Sequence, residues 1–125
     1  MTGMIERVSQ VGVRVLDVER AVSFYRDVLG LPLLFQAPRL AFFQCGETRL
    51  FLSVSEAPQF DHPASIIYYQ VADLDQAYAR LAGQGVAFQD GPHEVGRLGD
   101  RAVWMAFFED PEGNLLAITS ERPVS

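Results

Sequence analysis

The chain has 125 residues, with 10 basic against 16 acidic side chains, a net charge of −6, 49% hydrophobic residues and 21% charged ones. This length fits one packed domain, and the composition is far from that of a disordered chain. Basic residues scattered along an acidic chain disfavour a nucleic-acid partner, no uncharged stretch approaches the roughly 20 apolar residues of a membrane span, and the single cysteine, Cys45, excludes an internal disulfide and a cysteine-based metal cluster. Glu6 stands where a signal peptide would carry its apolar run, so the chain is expected in the cytoplasm.

In chain order, residues 8–15 alternate, with Val11, Val13 and Val15 on one face and Gln10, Gly12 and Arg14 on the other, which predicts a strand. Asp17 is a helix N-cap, and Val18, Ala21, Val22, Tyr25, Val28 and Leu29 follow at helical spacing until Gly30 and Pro32. Three strands are predicted near residues 33–36, 40–44 and 49–54, the last two joined by a tight turn at Cys45-Gly46-Glu47. A segment with two prolines, residues 55–65, leads to a second set. There a strand at 66–71, a cap at Asp73 and a stripe of Leu74, Ala77, Tyr78 and Leu81 end at Gly83 and Gly85. Strands near 86–88, 102–108 and 115–119 complete it, with GPHEVGRLGD (91–100) read as a loop and DPEGN (110–114) as a turn.

The chain is thus written twice. Residues 11–25 match residues 67–81 at an offset of 56, bringing Val15 onto Val71, Asp17 onto Asp73 and Ala21 onto Ala77. Residues 41–56 match 106–121 at an offset of 65 without a gap, and Ala-Phe-Phe, a Leu, a Ser and a Glu coincide. The nine extra residues of the second copy (65 against 56) fall between about Val86 and Arg101. The order is βαβββ–βαβββ: module one at about 5–56, a linker at about 57–64 and module two at about 65–121. One copy alone has too little core, so the two are expected to pack as a single domain, 1–125.

The runs VGVRVLDVERAVSFYRDVLGLPL and FFEDPEGNLLAI, together with the duplication, resemble the vicinal oxygen chelate superfamily, which includes glyoxalase I, bleomycin-binding resistance proteins and extradiol dioxygenases. The resemblance implies an α+β fold in which two βαβββ modules form a cupped, glyoxalase-like mixed sheet around a cavity, often in a homodimer. It also implies where a divalent metal would be held. Two ligands lie seven residues before each capping Asp, at Gln10 and Ile66; two lie on the closing strands, at Ala117 and its gapless counterpart Leu52. Of these four, only Gln10 offers a donor atom, whereas a divalent ion needs several oxygen or nitrogen ligands. Shifting the register by one brings in Phe51, Ser53, Ser65, Ile67, Leu116 and Ile118, which add two hydroxyls and no carboxylate. No metal or other cofactor is therefore expected.

Strand parity puts Leu50, Leu52 and Val54 with Gln10 on the cavity side, and Leu115, Ala117 and Thr119 with Ile66, Tyr68 and Gln70. Leu52, Ile66 and Ala117 would form an apolar floor. Gln10, Tyr68 and His93 would supply polar handles, and Trp104 a flat surface for a planar ligand. The expectation is a metal-free module that binds a small organic molecule, with no residue assigned to catalysis. The alternative is a metal-dependent lyase, isomerase or dioxygenase with an atypical site built from Gln10, His93 and Glu121.

Overall fold

Asp17 and Asp73 start the two helices as their spacing predicts. Each carboxylate accepts the backbone N–H three residues on, from Arg20 at 3.1 Å and from Gln76 at 3.0 Å. The computed structural model describes residues 3–63 and 65–124. The chain divides into two compact units, residues 1–64 and 65–125. Among the described residues no helix is long and apolar enough to cross a membrane.

In the first unit, β1 (Gln10–Arg14) leads into α1 (Val18–Ser23), which widens into a π-helical turn over Phe24–Val28. The Leu29 N–H reaches the Phe24 carbonyl at 3.0 Å, and Tyr25 is fully buried against Phe43, with ring centroids 6.0 Å apart. Strands β2 (Leu33–Ala37), β3 (Leu40–Cys45) and β4 (Thr48–Ser53) follow, and the sheet order is β1-β4-β3-β2. The second unit repeats this with β5 (Ile67–Gln70), α2 (Leu74–Gly83), β6 (His93–Leu98), β7 (Arg101–Glu109) and β8 (Leu115–Pro123), in the order β5-β8-β7-β6. The opening strand runs parallel to the closing strand in both sheets, and the other pairs are antiparallel.

Each sheet has one face under its own helix, and the apolar periodicity of both elements meets there. In the first unit Val13, Ala41, Phe43, Leu50 and Leu52 are buried with Val18, Ala21 and Val22 of α1. In the second, Ala106, Phe108, Leu116 and Ile118 are buried with Leu74 and Leu81 of α2. The opposite, helix-free face of each sheet carries the remaining side chains.

Two expectations are corrected. The segment 91–100 is not a loop, because His93–Leu98 forms the edge strand β6, while Phe88 makes only an isolated bridge to Phe108. The extra residues of the second copy lengthen a hairpin: β7 has 9 residues against 6 in β3. Leu98 faces Arg101 across Gly99-Asp100, and Gly99 holds a φ of 63°, as the first central residue of a type II′ turn requires. Polar β6 lacks the apolar alternation that marks a half-buried strand, and five of its six residues are exposed.

The second correction concerns register. Val11 pairs with Leu50, and its repeat mate Ile67 pairs with Leu116. The closing strands are therefore 66 residues apart (50 to 116), not 65. The difference lies in the turns. Gln44 faces Arg49 across four residues, whereas its counterpart Glu109 faces Leu115 across five. Asp110 builds that longer turn from within, accepting N–H groups from Glu112 at 2.9 Å and Asn114 at 2.8 Å and the Asn114 side-chain amide at 3.0 Å. Gly113 closes it at φ 82°.

Candidate functional site

The one-residue difference decides what the helix-free face of the first sheet is made of. Gln10 pairs with Arg49, Gly12 with Phe51 and Arg14 with Ser53. Leu50 and Leu52 point the other way, into the core beneath α1, where Leu52 is wholly buried. Leu52 thus does not share a face with Gln10; Phe51 takes the place assigned to it, and Phe51 is the counterpart of Ala117. Val54 lies beyond the end of β4.

On this face the rings of Phe42 and Phe51 stack, with centroids 4.9 Å apart. Arg49 Nε donates to Gln10 Oε1 at 3.3 Å at one end, and Arg14 pairs with Asp61 at 3.2 Å at the other. The only donor-bearing side chain among the four positions is thus engaged by a guanidinium.

The helix-free face of the second sheet brings together residues predicted separately. Tyr68 pairs with Ala117, and Ala117 pairs with Phe107. The Tyr68 and Phe107 rings meet edge to face at 6.0 Å, and His93, opposite Met105 on β6, sets its ring 6.3 Å from that of Phe107. His93 Nδ1 is tied to the Gly91 carbonyl at 2.9 Å. Ala117 is fully buried between its neighbours' rings, whereas Tyr68 remains 46% exposed. Ile66, 41% exposed, lies one residue before β5. Phe107 is the residue that joins this cluster. Its position in an Ala-Phe-Phe triplet gave no face until the strand register was known.

Trp104 does not join them. It shares the parity of Ala102, Ala106 and Phe108, on the side of α2, where the Arg122 guanidinium stacks 4.3 Å from its ring centre and bonds Asp75 at 3.1 Å. Glu121 and His93 share the helix-free face, but β7 separates their strands, and Glu121 lies 3.9 Å from Arg101. A groove of about 300 Å³ opens between the end of β5 and β8, lined by Gln70, Val71, Ala72, Thr119, Ser120, Glu121 and Arg101. A wider groove of about 780 Å³ in the first unit, between the start of α1 and the β2–β3 turn, is lined by Val54 but by none of the other residues predicted for the cavity.

The donor set at the four metal positions does not fit a divalent ion. Phe51, Ile66 and Ala117 are hydrocarbon, and Gln10 is the remaining one. Among the described residues no three His, Cys, Asp or Glu side chains come together.

The profile of the Glyoxalase/Bleomycin resistance protein/Dioxygenase superfamily matches residues 7–118. The chain belongs to this superfamily. It is 31% identical to the uncharacterized protein YraH of Bacillus subtilis, over 87% of this chain and 94% of that protein. It is 26% identical to the glutathione transferase FosA of Serratia marcescens, over 92% of this chain and 81% of that protein. It also matches the catechol-2,3-dioxygenase of Bacillus subtilis at 27% identity over 87% of this chain, but spans only 39% of that enzyme's length. Among solved structures, a superfamily member from Sphaerobacter thermophilus superposes with a TM-score of 0.79 and 25% identity, covering 93% of this chain and 98% of that one. The lactoylglutathione lyase of Agrobacterium tumefaciens superposes with a TM-score of 0.76 at 20% identity, over 94% of this chain and 95% of that one, a likeness of fold alone. Membership in this superfamily sets the architecture and leaves the chemistry to the site.

Proposed function

We propose that this superfamily member binds a small organic molecule on the helix-free faces of its sheets and does so without a divalent metal. The observation that carries this reading is the donor set. Gln10, Phe51, Ile66 and Ala117 hold one donor between them, and that amide oxygen already accepts from Arg49. What these faces offer instead is aromatic surface with a few polar groups, from Phe42 and Phe51 on the first sheet and from Tyr68, Phe107 and His93 on the second. Such a mixture suits an organic ligand whose rings are buried and whose polar atoms are fixed by a few hydrogen bonds.

The test is elemental analysis of protein purified without chelator, followed by a thermal-shift screen of small organic compounds in EDTA. The expected result is no stoichiometric divalent metal and a melting temperature raised by at least one compound, since a ligand of the folded state alone stabilises it by mass action. One metal per chain, lost in Gln10→Ala, would overturn the reading.

A further inference from the structure

Gly12, Phe51 and Phe42 lie abreast on β1, β4 and β3, on the helix-free face of the first sheet. The two rings, 21° from parallel, stack on each other, so that Phe42 covers one side of the Phe51 ring and Gly12 lies on the other. Gly12 leaves that other side open, because a Cβ built there would meet nothing within 4 Å. Two residues along β4, roughly 7 Å by strand geometry, stands the exposed side chain of Arg49. Its Nε is held by Gln10, which orients the guanidinium, and its terminal nitrogens have no partner among the described residues. Arg14, Arg26, Arg39, Arg97, Arg101 and Arg122 each have a carboxylate within 4.0 Å; Arg49, on a chain of net charge −6, has none among the described residues.

A guanidinium fork matches a carboxylate in shape and binds it through two parallel hydrogen bonds. A ring stacked on Phe51 in the space beside Gly12 would direct a carboxylate attached to it toward that fork. The geometry points to a planar aromatic anion as the ligand of this face, its ring against Phe51 on the Gly12 side of the Phe51–Phe42 stack and its acid group on Arg49. This inference rests on the metal-free reading above and names the ligand class for it. Arg49 would replace the charge that a metal supplies elsewhere, with Gln10 as its positioning residue.

The experiment is a calorimetric titration in EDTA with benzoate and with its neutral analogue benzamide. The proteins are wild type, Arg49→Gln and Arg80→Gln, the last changing an exposed arginine on α2. Benzoate is expected to bind wild type more tightly than benzamide does. Arg49→Gln should weaken benzoate about tenfold or more, the scale of a lost charge-assisted pair, and leave benzamide unchanged. Arg80→Gln should change neither. Equal binding of the two probes to wild type, or benzoate binding undiminished in Arg49→Gln, overturns the role of Arg49 and leaves the metal-free reading standing. Binding that appears only when a divalent metal is added overturns both, whereas no binding of either probe under any condition overturns the aromatic-anion inference and leaves the metal-free reading to the elemental analysis and the thermal-shift screen.

Discussion

Phe51 stacks on Phe42, while Leu52, its neighbour in sequence, lies fully buried on the other side of the same strand. The first copy sets Gly12 beside Phe51, and the second sets Tyr68 beside Ala117. Each helix-free face therefore has one ring and one small residue across the same pair of strands, with the order reversed. In the first case the ring comes from the closing strand, in the second from the opening strand. The two substitutions at 51 and 52 should consequently behave in opposite ways. Leu52→Ala empties a closed core site and should cost about 2–5 kcal/mol in urea unfolding. Phe51→Ala, at a half-buried position, should cost less and should weaken aromatic ligands that Leu52→Ala still binds when folded. The reverse pattern would restore the 65-residue match between the closing strands.

The turn at 110–114 depends on one buried carboxylate. Asp110 satisfies two backbone N–H groups and one side-chain amide, and Asp110, Glu112 and Asn114 are all buried. Asp110→Ala leaves those donors without their acceptor and should destabilise the chain by about 2–4 kcal/mol in chemical unfolding. Glu121→Ala, which removes an exposed carboxylate 3.9 Å from Arg101, should change stability by less than about 1 kcal/mol.

Cys45 gives a pH prediction. Partial burial at the end of β3 raises its thiol pKa above the ordinary value, because the thiolate is the form that desolvation penalises. Iodoacetamide should therefore modify the folded chain more slowly than the urea-unfolded chain near pH 8, with a midpoint at higher pH for the folded form. The sign for stability follows. The unfolded thiol ionises first, so this group's contribution is intact below the unfolded pKa, about 8.5, and is lost as pH rises from there through the higher folded pKa. Equal alkylation rates in the two states would contradict this.

Trp104 supplies a fluorescence prediction, as the sole tryptophan. It lies on the side of α2 with Arg122 over its ring, so a ligand on the helix-free face should not touch it. Titration with a non-absorbing ligand should leave its emission maximum in place. Arg122→Ala should shift that maximum to the red by uncovering the indole and should cost about 0.5–1 kcal/mol.

Much of the architecture was legible in the residues. Two aspartates that each cap the backbone N–H three residues on, two glycines after an apolar stripe and repeated Ala-Phe-Phe strands are local signals, and the structure uses each of them. What escaped was set by features that leave no local trace. The edge strand β6 is exposed along nearly its whole length, so burial imposed no alternation on HEVGRL, and its one marker was the Gly99-Asp100 turn. Leu52 was assigned to the wrong face because LFLSVSE and LLAITSE match best without a gap, while the core needs Leu50 where the second copy has Leu116. Arg49 carried no signal, since an arginine in a strand acquires meaning only from the amide beside it and from the carboxylates that are not.

The longer turn of the second copy also bears on how such a gene can change. Recombination between the two halves would be guided by their best-matching stretch, which joins residue 50 to residue 116. Spliced there, the chain would repeat a core position, and the remainder of the closing strand would be laid down inside out. One residue of turn thus makes the two halves non-interchangeable at the place where they look most alike. A chain spliced there would lose the alternation that its core requires, so each copy's helix-free face varies separately from the other's.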